Sequence, residues 1–210
     1  MKKISLLIIC LITISVTKAQ QKAVTETGIE VILYDDATWQ YVDHKDEKVS
    51  EIPTNRKKFN KDDESSFLLK SNKLNIGIWI NPKLWSFKKA TTNTEAEYEL
   101  QLKYGDLYGM ILTEKVEIPL EALRSIALEN GKESAPDLKI MKEEYRTVNG
   151  LKVLLLQMNG TMQGIKFSYY GYYFTSVNGT VQFITYTSQN LLKEYTKHCE
   201  LLLNGLVEID

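Results

Sequence analysis

The sequence predicts a domain of the α/β class, of the α+β type, in which helices flank a largely antiparallel sheet and a small N-terminal β-hairpin is appended. Residues 148–187 contain apolar and aromatic segments separated by Asn-Gly pairs, the strongest short-range hairpin signal. Apolar residues at helical spacing before and after that stretch predict the flanking helices. Hydrophobic residues make up 43% of the 210-residue chain, so one substantial core can form without disulfides or metals.

Residues 1–19 have the three parts of a secretory signal peptide. Lys2 and Lys3 form a basic start, residues 6–14 are mostly apolar, and small residues precede a cut before Gln20. The apolar run is shorter than the roughly 20 residues that span a bilayer. We therefore expect cleavage, export to the periplasm or the medium, and no stable membrane span in the mature chain.

Charge and cysteine content limit the function further. Cleavage takes the formal net charge from −1 to −4, because it removes three lysines and no acidic residue. Such a chain offers no strongly basic face, so nucleic acid is not an expected partner. Cys199 is the one cysteine of the mature chain, which excludes an intramolecular disulfide.

The N-terminal part reads as a hairpin followed by a linker. Residues 20–43 form the predicted hairpin, and because an isolated hairpin is marginal in water, Trp39 must pack on its own domain or on a partner. Residues 44–71 carry interspersed charges of both signs and are interrupted by Pro53, which predicts a solvated linker.

Residues 72–210 form the predicted main domain. Alternating apolar residues predict its first strands, at 76–80, 97–103 and 107–114. A helix follows from Pro119, with Asn130-Gly131 as its C-terminal cap, and then a strand over 138–148.

The rest of the domain is a predicted meander and a final helix. Residues 151–158 are nearly continuously apolar, which predicts a strand covered on both faces. An aromatic strand at 164–176 and a strand at 180–187 follow. The last helix begins near Ser188 as N-cap and ends at Asn204-Gly205. Asn-Gly occurs five times, three times between predicted strands and twice after predicted helices. Both uses exploit the tolerance of these residues for positive φ, so we interpret the pairs as turns and helix ends.

Three segments carry a family resemblance. Residues 76–85, Ile-Gly-Ile-Trp-Ile-Asn-Pro-Lys-Leu-Trp, form a strand followed by Pro-x-x-Trp. Residues 147–151, Thr-Val-Asn-Gly-Leu, form a strand–turn–strand junction, and residues 186–206 lead a strand through Thr-Ser into a long C-terminal helix. In these features the domain resembles the PsbP-like superfamily.

The resemblance covers about two thirds of the chain and leaves out the N-terminal hairpin. It implies the PsbP-like α/β/α sandwich that the photosystem II accessory subunit shares with Mog-type Ran-binding proteins and bacterial exported lipoproteins. Members of this superfamily mostly bind or stabilise partners. The matching motifs are turns and core positions, so the resemblance assigns no functional residue.

No catalytic constellation is predicted, and neither metal ligands nor a cofactor are. The two histidines, His44 and His198, stand outside any zinc-binding pattern and are expected to face solvent. Cys199 adjoins His198, but neighbours on a helix point roughly 100° apart, and Cys199 falls in the apolar stripe. We expect a buried thiol.

Aromatic side chains are the remaining candidates for a binding site. In the aromatic strand, Tyr169 and Tyr173 share one face and Tyr170 and Tyr172 the other, which favours a core strand packed on both sides over a ligand platform. The binding candidates are Trp39, Tyr41, Trp85, Tyr169, Tyr170, Tyr172 and Tyr173. The strand rims and the Trp39 hairpin are the first places to look.

We expect an exported, non-enzymatic binding or accessory protein of the bacterial cell envelope, whose partner is an envelope protein or a small ligand. The alternative is a carrier of a small apolar or aromatic ligand, held in a pocket between sheet and helix. A hydrolase is the third hypothesis, and no sequence motif supports it.

Overall fold

The computed structural model describes residues 21–25, 30–35, 37–42, 52–91 and 93–209. The predicted signal peptide and His44 lie outside the described residues. Within the described ranges, no helix is long and apolar enough to cross a membrane.

The described residues form fourteen strands and two helices. In chain order these are β1 (Gln21–Val24), β2 (Glu30–Leu33), β3 (Trp39–Tyr41), β4 (Thr54–Phe59), β5 (Phe67–Lys70), β6 (Ile76–Ile80), β7 (Trp85–Lys89), β8 (Ala96–Leu102), β9 (Tyr108–Glu114), α1 (Leu120–Ser134), β10 (Lys139–Val148), β11 (Leu151–Met162), β12 (Ile165–Ser176), β13 (Gly179–Ser188), α2 (Leu192–Leu203) and β14 (Leu206–Glu208).

The main sheet has eight strands in the order β4-β10-β11-β12-β13-β9-β8-β7. Its neighbours are antiparallel, except that β4 runs parallel to β10 at one edge. The predicted meander is confirmed, because β10 to β13 lie side by side in chain order. A second sheet, β14-β6-β5, is fully antiparallel.

Both faces of the main sheet are covered, as β11 shows. Leu154 and Leu156 point into a core shared with α1, whereas Val153 and Leu155 point into a core shared with α2 and the second sheet. All four side chains are fully buried, and burying each stabilises the fold by about 2 kcal/mol. The prediction of a strand covered on both sides is confirmed, and so is the α/β class with a largely antiparallel sheet.

The stretch predicted as a charged linker contains two strands. β4 is an edge strand of the main sheet, and β5 pairs with β6 in the second sheet. In β4 the polar run Asn55-Arg56-Lys57-Lys58 hid the strand signal, and only Phe59 is buried. Charged residues are common on edge strands, where they oppose pairing with another chain.

Two Asn-Gly pairs differ from their predicted roles for one reason, the packing of Leu138. Gly131 lies inside α1, and Gly160 lies inside β11. A Cβ at Gly131 would come 2.3 Å from Leu138 Cδ2, and one at Gly160 would come 2.9 Å from Leu138 Cδ1. The β11–β12 turn is instead at Gln163 and Gly164, both with positive φ.

The start of α2 also differs from the prediction. Ser188 is the last residue of β13, and its carbonyl accepts a hydrogen bond from the Leu191 amide at 2.9 Å. Leu191 is the N-cap of α2, so a tight turn separates strand from helix. The predicted end of α2 is confirmed, with Asn204 as C-cap.

The N-terminal segment forms a three-stranded antiparallel sheet, because β1 adds a strand that the sequence did not predict. Leu33 of β2 pairs with Trp39 of β3, and the Trp39 side chain is 55% exposed. Among the described residues, neither core cluster of the main domain includes a residue of this sheet.

Candidate functional site

A groove of about 550 Å³ lies on the sheet face that α1 shares, beyond the part that this helix covers. We call it the tyrosine groove. It is lined by Asn93, Glu99, Asp106, Tyr108, Met110, Met162, Ile165, Phe167, Tyr169, Tyr186, Thr187 and Ser188.

Strand register brings three tyrosines into one row across the groove floor. Tyr169 of β12 pairs with Tyr186 of β13, and Tyr186 pairs with Tyr108 of β9. Directly paired residues on adjacent strands point to the same face, so the three rings stand side by side. The row therefore depends on two strand registers at once, that of the β12–β13 hairpin and that of the long-range β13–β9 pair.

The rings of this row have two orientations. Tyr108 and Tyr186 are stacked, with centroids 5.5 Å apart and an interplanar angle of 22°. Tyr169 stands at 82° to Tyr186, with centroids 6.2 Å apart, and Phe167 packs against Tyr169 at 4.8 Å and 63°. The groove therefore presents aromatic surfaces in nearly perpendicular directions.

The tyrosine hydroxyls of the row are available to a ligand. In the part of the chain that the structure describes, the hydroxyls of Tyr108, Tyr169 and Tyr186 form no hydrogen bond with another residue. Burial raises the pKa of Tyr169, and burial together with the nearby Glu99 carboxylate raises the pKa of Tyr186. A raised pKa keeps the Tyr169 and Tyr186 phenols protonated, so that each can donate a hydrogen bond.

The groove is acidic. Among the described residues, Glu99 and Asp106 are the charged residues of its lining, which includes no lysine or arginine. Lys88 forms an ion pair with Glu99 at 2.9 Å from a position 66% exposed to solvent. The Asp106 backbone is fixed, because its carbonyl accepts a 2.6 Å hydrogen bond from Thr187 and its amide donates to Tyr195.

Exposed apolar side chains border the groove at the β11–β12 hairpin. Met162 is 41% exposed and Ile165 is 65% exposed. No residue of α1 lines the groove. The tyrosine groove therefore lies on the sheet itself rather than between the sheet and α1.

A second polar cluster lies on the opposite face of the sheet, around Arg146. Its guanidinium donates to Glu144 at 2.5 Å, to Glu200 of α2 at 3.0 Å and to the Tyr172 hydroxyl at 3.0 Å. Arg146 is only 3% exposed. This buried, fully partnered cluster joins α2 to the sheet, and it offers no surface to a ligand.

The predicted binding residues fall in different places. Tyr169 lines the groove, and Trp39 is exposed on the N-terminal sheet, whose strand β3 also contains Tyr41. The other four candidates are almost completely buried in the two cores and do not form a binding surface. They are Trp85, Tyr170, Tyr172 and Tyr173.

Burial also explains the pKa values of these tyrosines. Removal from water raises the pKa of Tyr172 to about 12, although Arg146 opposes the shift. Burial likewise raises the pKa of Tyr170. The Tyr170 hydroxyl donates to Glu200 at 2.9 Å, and the Tyr172 hydroxyl donates to Asn204 at 2.9 Å. Both tyrosines hold α2 against the sheet.

Sequence reasoning missed Tyr108, Tyr186 and Glu99. Glu99 lies on the polar face of its predicted strand, Tyr108 lies with Met110 and Leu112 on an apolar face, and Tyr186 lies near the end of the strand at 180–187. The signal that could have found the two tyrosines is cross-strand register. Once β9, β12 and β13 are paired, Tyr108, Tyr169 and Tyr186 occupy directly paired positions.

The histidine and cysteine predictions have mixed outcomes. Cys199 is completely buried as predicted, and burial raises its pKa to about 11. His198 was expected to face solvent but is half-buried, with its ring 6.1 Å from that of Tyr195. Over the described ranges, no group of three or more His, Cys, Asp or Glu residues is placed to hold a metal ion.

Comparison with known proteins supports the fold by structure rather than by sequence. No protein-family model matches the sequence, and no curated protein matches it. The solved structure of cyanobacterial PsbP from Synechocystis sp. PCC 6803 is similar over 68% of this chain and 91% of that protein, with a TM-score of 0.52 and 9% identity.

Two further solved structures align with lower TM-scores. PA94, a Pseudomonas aeruginosa protein of unknown function, aligns over 67% of this chain and 95% of its own, with a TM-score of 0.44 and 14% identity. LpqN, involved in cell envelope biogenesis of Mycobacterium tuberculosis, aligns over 71% and 80%, with a TM-score of 0.34 and 11% identity. The layered architecture and the match to cyanobacterial PsbP together show that the chain has the PsbP-like fold.

Proposed function

We propose that this is an exported binding protein of the bacterial cell envelope, without enzymatic activity, that recognises its partner at the tyrosine groove. The observation that carries the proposal is the row of Tyr108, Tyr186 and Tyr169 on an uncovered part of the sheet. The three rings are half-buried and stand side by side on a part of the sheet that α1 does not cover.

The chemistry of the groove supports binding rather than catalysis. In the described part of the chain, its hydroxyl-bearing residues besides the tyrosines are Thr187 and Ser188, and no histidine, cysteine or lysine from that part lines it to activate a nucleophile. Thr187 Oγ1 already donates to the Asp106 carbonyl at 2.6 Å. Aromatic rings with free hydroxyls at a partly exposed site are typical of recognition surfaces.

Export and an accessory role have separate support. The predicted signal peptide at residues 1–19 supports transport out of the cytoplasm. The PsbP-like fold supports an accessory role, because members of that superfamily mostly bind or stabilise partners. Fractionation of cells that express the full chain tests export: we expect cleaved protein outside the cytoplasm, and uncleaved cytoplasmic protein would contradict it.

The groove volume favours a second candidate function, the carriage of a small ligand. Small-molecule sites typically enclose 300–1,000 Å³, and the groove measures about 550 Å³. An adjacent cavity of about 350 Å³ shares Glu99, Tyr108 and Tyr186 with it. A ligand longer than the groove itself therefore has room to extend toward β7.

Affinity capture with matched variants tests recognition at the groove. The mature protein, the double variant Tyr169→Thr/Tyr186→Thr and the control Tyr104→Thr are immobilised and exposed to envelope extract. Tyr104 is fully exposed and lies outside the groove, so its replacement controls for general loss of aromatic surface. Threonine keeps the β-propensity of the two groove positions.

We expect a protein or small molecule that is retained by the mature protein and by Tyr104→Thr and is lost from the double variant. Mass spectrometry of the eluate separates a protein partner from a carried small ligand. Equal retention by the double variant would contradict recognition at the tyrosine groove.

A further inference from the structure

We infer that the tyrosine groove binds a small organic cation, specifically an alkylated ammonium group attached to a short substituent. This inference rests on the proposed function and specifies the ligand class for the same site. It follows from the charge of the lining, the angles between the rings and the shape of the cavity.

The charge of the lining selects a cation. Glu99 and Asp106 are both acidic, and no lysine or arginine of the described ranges lines the groove. Lys88 Nζ pairs with Glu99 at 2.9 Å from a position 66% exposed to solvent, so it offsets one of the two negative charges. With Asp106 the described charges at the groove still sum to −1, which favours a cation over an anion.

The rings select an alkylated cation. A cation over the face of a tyrosine ring is attracted by the ring quadrupole, most strongly where water is excluded, and quaternary ammonium ligands are held in this way by aromatic cages. Tyr169 stands at 82° to Tyr186, so the two rings present surfaces to one compact group from different directions. Phe167, packed on Tyr169, extends the aromatic wall.

The same rings disfavour a sugar that stacks on an aromatic face. Sugar rings stack on an aromatic face that is open, but Tyr108 and Tyr186 lie face to face with centroids 5.5 Å apart. Each of these two rings thus covers one face of the other. The remaining surfaces meet at steep angles, which suits a compact group with methyl substituents better than a planar one.

Apolar lining and volume define the rest of the ligand. Met110, Met162 and Ile165 offer apolar contact for alkyl groups. The groove, at about 550 Å³, exceeds the size of one ammonium head group, and the adjacent cavity of about 350 Å³ continues from Glu99 and Tyr108. We therefore assign the ammonium group to the tyrosine row and its alkyl substituent to the part of the groove lined by Met110, Met162 and Ile165, because Ser86, Lys88 and Gln101 make the adjacent cavity polar.

Titration of the mature protein with matched probes tests the inference. The cations are choline and benzyltrimethylammonium, and the neutral control is 3,3-dimethyl-1-butanol, which has the shape of choline without its charge. We expect the N-methyl proton signals of both cations to shift upfield on binding, because aromatic rings surround them. We expect the neutral alcohol to bind at least tenfold more weakly than choline, since it lacks the cation–π and carboxylate attraction.

Variants separate the charge from the cavity. Glu99→Gln and Asp106→Asn should each weaken choline binding about three- to tenfold and leave the weak binding of the alcohol unchanged. Tyr186→Thr should weaken both ligands. Asp63→Asn, at an exposed carboxylate outside the groove, should change neither and is the matched control.

The outcomes also distinguish sources and hypotheses. Binding to phosphatidylcholine vesicles but not to free choline would place the cation on a lipid head group. Binding to free choline but not to the vesicles would indicate a free solute. Neither probe should bind when Glu99 and Tyr186 are both replaced. Equal affinity for choline and its neutral analogue would overturn the cation inference but leave a binding groove in place. Absence of binding by every cation at millimolar concentration would overturn the inference. The proposed function would still be supported if, in the capture experiment, a partner is retained by the mature protein and lost from the double variant.

Discussion

Tyr186 stacks on Tyr108 across the β13–β9 pair, with ring centroids 5.5 Å apart and an interplanar angle of 22°. Two neighbouring strands hold this pair without help from either helix. Strand pairing on both sides of the pair sets the positions of these rings without a ligand. Such preorganisation lowers the entropic cost of binding.

The groove tyrosines should contribute little to stability compared with the core beside them. Tyr186→Thr removes a stacked partner of a half-buried ring, which should lower the free energy of unfolding by about 1 kcal/mol. Phe183 lies three residues earlier on β13 and is completely buried. Phe183→Ala should cost about 4 kcal/mol. Urea unfolding monitored by circular dichroism measures both, and equal losses would mean that the tyrosine row is a core element.

The Arg146 cluster should be a strong structural link between α2 and the sheet. Arg146→Ala leaves the Glu144 and Glu200 carboxylates without their partner and should destabilise the fold by about 4 kcal/mol. Arg124 pairs with Glu143 at a more exposed position, so Arg124→Ala should cost about 1 kcal/mol or less.

Urea midpoints of the two arginine variants check this difference. A similar small loss for both would show that Arg146 is dispensable for holding α2. The choline titration of Arg146→Ala provides a second readout: the cluster lies on the opposite face from the groove, so any variant that remains folded should bind with unchanged affinity.

The main domain could be predicted because its signals are local. Alternation and Asn-Gly pairs identified β8, β9 and the meander from β10 to β13, since each hairpin is decided within about twenty residues of chain. The α1 cap and the β11–β12 turn were misplaced because Leu138, in the connection between α1 and β10, packs on Gly131 and Gly160. A glycine that makes room for a neighbour has the same sequence signature as a glycine that makes a turn.

The groove could be predicted only in part, because it depends on long-range register. Tyr169 was a candidate from its aromatic neighbours alone. Tyr108 lies 78 positions before Tyr186 in the chain, and the two meet only when β9 crosses back to pair with β13. Edge strand β4 was not predicted for a different reason: its exposed lysines and arginine resemble a solvated linker.

Glu97 should make the fold more stable above pH 4.5 than below it. Burial alone would raise the pKa of Glu97, but hydrogen bonds from Ser71 and Thr113, each 2.6 Å, and from the Asn72 amide, together with nearby Lys73, lower it. A lowered folded-state pKa adds stability that is complete above the unfolded value of 4.5 and is lost as pH falls through the folded value.

The matching experiment compares Glu97→Gln with Glu117→Gln, a change at an exposed glutamate. Thermal unfolding between pH 7 and pH 3 should show the Glu97→Gln variant well below the parent at pH 7 and close to it at pH 3. The Glu117→Gln variant should follow the parent throughout. A constant difference between Glu97→Gln and the parent at every pH would refute the ionic role of Glu97.

Cys199 should react only slowly with thiol reagents in the folded protein. Burial raises the pKa of its thiol to about 11 and removes it from solvent, and only the thiolate is an efficient nucleophile. In the mature chain at pH 8, we expect reaction with Ellman's reagent at least a hundredfold slower than in 6 M urea. Asn178→Cys in a Cys199→Ser background supplies an exposed control thiol, which should react quickly without denaturant. Fast reaction of native Cys199 would mean that α2 opens readily.

Photo-crosslinking in living cells tests most directly whether the tyrosine groove is the working surface. A photoreactive phenylalanine analogue replaces Ile165 at the groove rim, 65% exposed, or Val177 at the other end of β12, 81% exposed. The two positions are about 40 Å apart along an extended strand, so one probe reports on the groove and the other on a distant surface. We predict a defined crosslinked species, a protein band or a fixed mass increment, from position 165 and none from position 177. Crosslinking from position 177 alone, or equally from both, would contradict a function centred on the tyrosine groove.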